Sequence, residues 1–175
     1  MLEARSFVEN FDRAREVLNS LNADFKGEYV IHDVIFESKD PNKTLIDEFL
    51  RLRMVPKNIW NDKAFIVAIK NTELKETGKN SVIPIKMQFD SEAEARTYIE
   101  ENFLGKFQYS FEFTRTGWQY YAGKYFVDLE DIEGYLSIEA KAETEQDLKD
   151  LVKMLDMRDL IKGPSVLAVR ELLKK

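Results

Sequence analysis

The chain has 175 residues, 44% of them hydrophobic and 33% charged, and carries a formal net charge of −6 from 26 basic and 32 acidic residues. That composition fits one folded domain over residues 1–175, excludes wholesale disorder, and argues against a general nucleic-acid binder. There is no cysteine, which excludes disulfides, a thiolate nucleophile and a thiolate metal site, and fits a reducing cytoplasm.

The opening residues, MLEARSFVEN, are charged where a signal peptide needs an apolar stretch, and no run reaches transmembrane length. A soluble, cytoplasmic protein with no membrane partner is expected. A short strand, LEARSFV, leads into a helix from Asn10 to Leu21, where Phe11, Ala14, Val17, Leu18 and Leu21 recur at helical spacing. Three strand-like segments follow: GEYVIHDVIFES, DEFLRLRMV and KAFIVAIKN. Asp40 to Lys43 reads as a loop, and NTELKETGKNS, polar and glycine-containing, reads as a longer mobile one.

The pattern then repeats loosely. KMQF precedes a second helix opened by Asp90 or Ser91, with SEAE resembling a capping box. Its apolar positions include Ala95, Tyr98, Ile99 and Phe103. After it come KFQYSFEFTRT, YAGKYFVDL and YLSIEAKAE, then two helical stretches, TEQDLKDLVKMLD and SVLAVRELLKK, around a turn at Gly163–Pro164. Two strand–helix–strand–strand–strand halves predict one antiparallel sheet of about eight strands, a number at which a sheet can close into a barrel.

Side chains alternate across a strand, so each strand has two faces. Leu50, Leu52 and Met54 oppose Phe49, Arg51 and Arg53. Ile66, Ala68 and Lys70 oppose Phe65, Val67 and Ile69, and Lys86 and Gln88 oppose Ile85, Met87 and Phe89. Lys124, Phe126, Asp128 and Glu130 oppose Tyr125, Val127 and Leu129. Ser137, Glu139 and Lys141 oppose Leu136, Ile138 and Ala140, and Glu3 and Arg5 oppose Leu2 and Ala4. In an open sheet the polar faces would simply meet water. If the sheet closes with helices outside, its interior must hold several cations, and enclosed like charges are costly unless paired or liganded. A bound polyanion would resolve that conflict.

The same residues carry a resemblance that runs in order along essentially the whole chain. Met1-x-Glu3-x-Arg5, Asp33 with Phe36, Leu50-Arg51-Leu52-Arg53, Lys70, and Phe113 with Arg115 come first. Asp128 with Ile132-Glu133-Gly134, then Glu139, then DLIKGPSVLAVREL complete the series. In this order they resemble the CYTH superfamily, the triphosphate tunnel enzymes, which include class IV adenylyl cyclases and thiamine triphosphatases. The departures are specific. Met1 stands where that family's first E-x-E-x-K glutamate belongs, and Arg5 replaces the lysine. Ser137 or Lys141 replaces the second glutamate of its closing E-x-E, and Lys86 and Gln88 stand where an R-x-E pair is common.

The resemblance implies an α+β fold, a single eight-stranded antiparallel β-barrel with helices packed outside. It implies a nucleoside or other triphosphate as ligand, Mg2+ or Mn2+ as cofactor, and allows a homodimer. With the strand faces, it points to Arg5, Arg51, Arg53, Lys70, Lys86, Arg115, Lys124 and Lys141 as substrate-binding, with Lys70 and Arg115 also catalytic. Glu3, Asp128 and Glu139 are the expected metal ligands, hard oxygen donors suited to Mg2+. Guanidinium groups grip phosphate oxygens two at a time, and phosphoryl transfer asks mainly for positioning and charge neutralisation.

The implied activity is class IV adenylyl cyclase-like, converting ATP to cyclic AMP and pyrophosphate. A triphosphatase is the alternative reaction, and a non-catalytic binder of phosphorylated ligands is the alternative class. His32, the only histidine, is expected to be a surface or hydrogen-bonded residue, and Trp60 and Trp118 core or rim aromatics. The acidic run LEDIEG is expected to be a solvated turn apart from Asp128.

Overall fold

Strands that are apolar on one side and charged on the other gain most by closing, because closure removes both sheet edges and puts each face in a single environment. The computed structural model, which describes residues 1–175, shows this closure. In chain order the elements are β1 (Leu2–Phe7), α1 (Asp12–Ser20), β2 (Asp24–Ser38), β3 (Phe49–Lys57), β4 (Phe65–Leu74), β5 (Lys79–Phe89) and α2 (Glu92–Phe103). They continue with β6 (Phe107–Ala122), β7 (Tyr125–Ile132), β8 (Tyr135–Ala142), α3 (Glu145–Met154) and α4 (Ser165–Leu173). The eight strands form a closed barrel in the order β1-β5-β4-β3-β2-β6-β7-β8, every pair antiparallel.

The outward faces are the apolar ones. Leu50 and Leu52 of β3 and Val67 of β4 pack against Ala95, Ile99 and Phe103 of α2. Ala4, Val127, Leu129, Ile138 and Ala140 pack under Ala14, Val17 and Leu18 of α1 and Leu148 and Leu151 of α3. Each fully buried Leu, Ile or Val contributes about 1.5–3 kcal/mol of transfer free energy. Local chemistry sets where the helices start: the Ser91 hydroxyl accepts the Glu94 N–H at 3.2 Å, and the Thr144 hydroxyl accepts the Asp147 N–H at 3.1 Å. None of the helices is long and apolar enough to cross a membrane.

The fourth helix behaves differently. Val166 and Val169 of α4 cluster with Ile35, Phe49, Phe113 and Ile132, residues from the barrel's strands, so α4 closes one end of the barrel. Arg170 fastens it to β2 through Glu37 at 2.5 Å.

The expected mobile loop at residues 71–81 is mostly strand. Asn71, Thr72, Glu73 and Leu74 pair with Val82, Ser81, Asn80 and Lys79, leaving a short turn that Lys75 N–H closes onto Gly78 O at 2.8 Å. Polar composition misleads here because the ladder is built from backbone groups, and α3 holds the turn from outside: Glu145 accepts the Thr77 N–H at 2.7 Å. The loop expected at Asp40–Lys43 is present as a turn between β2 and β3.

The barrel's last seam joins β1 to β5 through a single register pair, Glu3 with Lys79. Gly78 is required there: a Cβ at this position would lie 2.3 Å from the Glu3 carbonyl oxygen.

Candidate functional site

The inward faces enclose a cavity of about 370 Å³. Phe49, Phe113 and the first turn of α4 (Ser165, Val166) line its closed end, while exposed Trp60, Ile83 and Lys86 mark the mouth. The two long walls have opposite character. The lining residues of β3, β4 and β5 include Arg51, Arg53, Lys70, Lys79 and Lys86 and no acid. Those of β7, β8 and β1 are Asp128, Glu130, Glu139, Lys141 and Glu3.

On the second wall nearly every charge is paired. Arg5 lies behind the lining, 2% exposed, where it pairs with Glu130, reaches Glu139 Oε1 at 2.9 Å and donates to Ser137 Oγ at 2.7 Å. Glu130 also accepts the Tyr29 hydroxyl at 2.5 Å and meets Arg115 at 3.4 Å. Burial works against its charge, but Arg115 and Arg5 outweigh it and hold the carboxyl below the usual range. Burial and Glu130 push the Tyr29 phenol well up, against the opposing effect of Arg115. Tyr29 reaches Glu130 only because β6 carries a glycine opposite it; a Cβ on Gly117 would lie 2.1 Å from the Tyr29 ring. Lys141 bridges Asp128 Oδ2 at 2.6 Å and Glu139 Oε2 at 3.0 Å. Burial opposes its charge, yet Glu139 and Asp128 hold the ammonium above its ordinary value.

Asp33, on β2 between the walls, is a hub. Arg53 grips it with two bonds of 2.8 Å, Arg115 lies 3.5 Å away and Arg51 3.9 Å. Burial raises its proton affinity, but Arg53 and Arg51 reverse that and keep it well below the usual carboxylate range. One carboxylate therefore serves three guanidinium groups.

That leaves cations without counter-charges. Arg51, 9% exposed, has only the long Asp33 contact, and its Nε has no hydrogen-bond partner. Burial and then Arg53 pull its proton affinity down to about 9. Lys70, registered beside Phe49 on the next strand, has no carboxylate within 4.0 Å. Burial and then Arg51 lower it to about 7. Ala68, small and opposite Arg51, leaves open space between the two. Lys79 is also pulled down by burial, with Glu3 as its nearest carboxylate at 4.0 Å. A buried cation facing an enclosed space and lacking an acid suits an incoming anion.

Of the residues expected from sequence, Arg51, Arg53, Lys70, Lys86, Arg115, Lys141, Glu3, Asp128 and Glu139 line the cavity. Two expected substrate contacts lie elsewhere. Arg5 is sealed behind Glu130 and Glu139, so it supports the wall rather than facing a ligand. Lys124 sits at the tip of the β6–β7 turn, outside the barrel, paired with Asp147 of α3; strand alternation does not extend to a residue that precedes the strand. Glu130, expected in a solvated turn, is 1% exposed, because the turn lies further on at Glu133 and Gly134, whose φ values are 52° and 90°. Lys79 and Tyr29 were not singled out by the sequence. The inward period of β2, Tyr29–Ile31–Asp33, carried the signal for Tyr29; Lys79 was hidden by its apparent loop.

His32 faces away from the cavity, bonded to Thr114 and Glu112 at 2.8 and 2.6 Å. Trp118 packs outside against Phe11, and Trp60 sits at the mouth with its ring 4.8 Å from that of Tyr29.

The donor set does not suit Mg2+ or Mn2+. No group of three or more carboxylate or imidazole side chains converges. The four oxygens of Asp128 and Glu139 each lie within 3.0 Å of a nitrogen from Gln119, Lys141 or Arg5. Glu3 already accepts the Ser81 hydroxyl at 2.6 Å. Mg2+ is commonly held by one or two carboxylates together with phosphate and water oxygens, and here the Asp128 and Glu139 oxygens already accept from Lys141, Arg5 and the Gln119 amide.

No family model and no curated relative matches the sequence at a significant level. Solved structures do resemble the fold. A Pyrococcus horikoshii protein superposes with a TM-score of 0.75 at 17% identity, covering 99% of each chain. A Vibrio parahaemolyticus protein provisionally named an adenylate cyclase gives 0.65 at 12% identity, covering 99% of this chain and 97% of its own. A Hippeastrum protein, provisionally an adenylyl cyclase but with a dominant triphosphatase activity, gives 0.60 at 15% identity over 89% and 88% of the two chains. The architecture shared with these structures is the closed eight-stranded antiparallel barrel with helices packed outside, as the strand pattern led one to expect.

Proposed function

We propose that this triphosphate tunnel receives the polyphosphate chain of a nucleotide or related triphosphate, held by Arg51, Arg53, Lys70, Lys79 and Arg115. The carrying observation is the pair of buried Arg51 and half-buried Lys70, beside open space and without a carboxylate of their own. A phosphate group between them would supply the missing counter-charge and accept charge-assisted hydrogen bonds. The named activities of the two similar proteins support the same ligand class.

The chemistry best suited to this wall is attack on phosphorus, in which fixed cations neutralise charge on the non-bridging oxygens. In the hydrolytic reading, water attacks the terminal phosphorus, the bond to the bridging oxygen breaks, and the diphosphate leaves. A cyclase reading, in which the ribose 3′-oxygen attacks the α-phosphorus and pyrophosphate leaves, draws support from Trp60 at the mouth, where a nucleobase could stack.

The test is thermal unfolding with inorganic tripolyphosphate, ATP and thiamine triphosphate, followed by assay for phosphate, pyrophosphate and cyclic AMP. Stabilisation by tripolyphosphate that disappears in Arg51→Met is expected. Absence of any shift with all three compounds would refute the reading.

A further inference from the structure

Lys141 occupies an unusual position for a lysine. Its ammonium lies on the acidic wall, 2.6 Å from Asp128 Oδ2 and 3.0 Å from Glu139 Oε2, and it lines the cavity with its side chain about a quarter exposed. Asp128 and Glu139 are direct register partners on β7 and β8, so their carboxylates sit side by side. Two carboxylates forced together on one wall of an enclosed space call for a cation between them. Here the chain supplies its own.

We propose that the Lys141 ammonium is a tethered cation that takes the place of a divalent metal, so that the tunnel binds its polyphosphate ligand without one. The inference rests on the anion-binding reading above and extends it to how the ligand meets the acidic wall. An ammonium has three donors. Asp128 and Glu139 engage two, and the third is left for a ligand oxygen in the cavity. Lys141 thus joins carboxylates to phosphate, which a bridging metal does elsewhere, and it shields the ligand from the acids behind it.

Three features support the assignment. The remaining oxygens of the two acids are already occupied: Gln119 donates to Asp128 Oδ1 at 3.0 Å, and Arg5 lies 2.9 Å from Glu139 Oε1. Glu3, the other lining acid of β1, is held by Ser81 at 2.6 Å and does not join them in a metal-binding group. Finally, Lys141 is not a surface side chain that folded inward by chance, since Glu139 and Lys141 alternate with buried Ile138, Ala140 and Ala142 on the outer face of the same strand.

The experiment uses the full chain and inorganic tripolyphosphate. Calorimetric titration is run in excess EDTA and again with Mg2+ or Mn2+, and free protein is titrated with Mn2+ under electron paramagnetic resonance. The unmodified protein is expected to bind tripolyphosphate equally, within about twofold, with and without metal, and to leave the Mn2+ signal unbound. Lys141→Gln removes the charge but keeps a donor; its affinity in EDTA should fall about 10- to 100-fold, the range for losing a charged hydrogen bond, with part of the loss restored by Mn2+. Lys141→Glu should capture Mn2+ outright.

Binding that requires Mg2+ or Mn2+ in the unmodified protein would overturn the proposal while leaving the anion site standing. So would specific Mn2+ binding by the unmodified protein. Failure to bind tripolyphosphate under either condition would remove the anion reading and this inference together. The measurements on the unmodified protein decide the matter even if a variant does not fold.

Discussion

The two long walls of the barrel are both lined with charged side chains, but one mixes acids with bases and the other carries bases alone. On the β7–β8–β1 wall, Arg5, Glu130, Glu139, Lys141 and Asp128 form one connected network. On the β3–β4–β5 wall, Arg51 and Lys70 face open space with no acid of their own. Paired buried charges hold a structure in register but give nothing back to a ligand. Unpaired ones cost stability and reserve binding energy for an anion. The difference separates scaffold from site within a single barrel.

Breaking the paired wall should have the largest effect. Glu130→Gln leaves Arg5 and Arg115 buried without their main counter-charge, and urea denaturation should show a loss of about 3–5 kcal/mol; a loss below a quarter of that would mean the network is not structural. The opposite wall should respond in reverse. Arg51→Met should leave stability equal or higher, because a desolvated charge is removed, while tripolyphosphate affinity falls about 10- to 100-fold by calorimetry.

Tyr29 of β2 braces the paired wall through Glu130, and Gly117→Ala tests that contact. The added methyl would collide with the Tyr29 ring and draw its hydroxyl off Glu130, at a cost of about 1–3 kcal/mol in chemical denaturation. Gly117→Ala with unchanged stability would show that the ring can sit elsewhere.

The basic wall should also titrate. Lys70 is lowered from an ordinary value of 10.5 to about 7, by burial and then by Arg51. Its folded-state value lies below its unfolded one, so the unfolded chain holds the extra proton between them. The ligand-free protein should therefore gain stability as pH rises from about 7 toward 10.5, and this gain should vanish in Lys70→Met. Tripolyphosphate binding should run the other way, weakening as Lys70 loses its proton. Comparing each pH profile with that of the variant removes the ligand's own titration. The smallest effect belongs to Lys124→Ala: the residue lies outside the barrel against Asp147, and neither affinity nor cooperativity of unfolding should change.

Much of this was legible in the chain. Period-two alternation in Leu50–Arg51–Leu52–Arg53 and in Glu139–Ala140–Lys141 assigned inner and outer faces correctly, because pleating obeys no tertiary context. The helix starts at Ser91 and Thr144 follow from local hydroxyl chemistry. Where reading failed, the failures share a cause. Lys124 has the parity of an inward residue but precedes its strand, and Glu130 looks like part of an acidic turn that begins three residues later. The hairpin of β4 and β5 was hidden because it is polar on both faces: Thr72, Lys79, Asn80 and Ser81 line the cavity, while Glu73, Lys75 and Glu76 meet solvent.

Residues within a few positions of one another thus set most of the strands, their two faces, the outer helices and many of the inward charges, though not Lys79, Glu130 or the β4–β5 hairpin, and they misplaced Lys124. Which of those charges meet depends on the closed barrel. Arg5 and Glu130 lie 125 residues apart in the chain, and Tyr29 and Glu130 lie 101 apart. Partnership across such separations is set by barrel register and by where α4 closes the end. A charge becomes scaffold or binding group according to its neighbours, and its neighbours exist only once the barrel has closed.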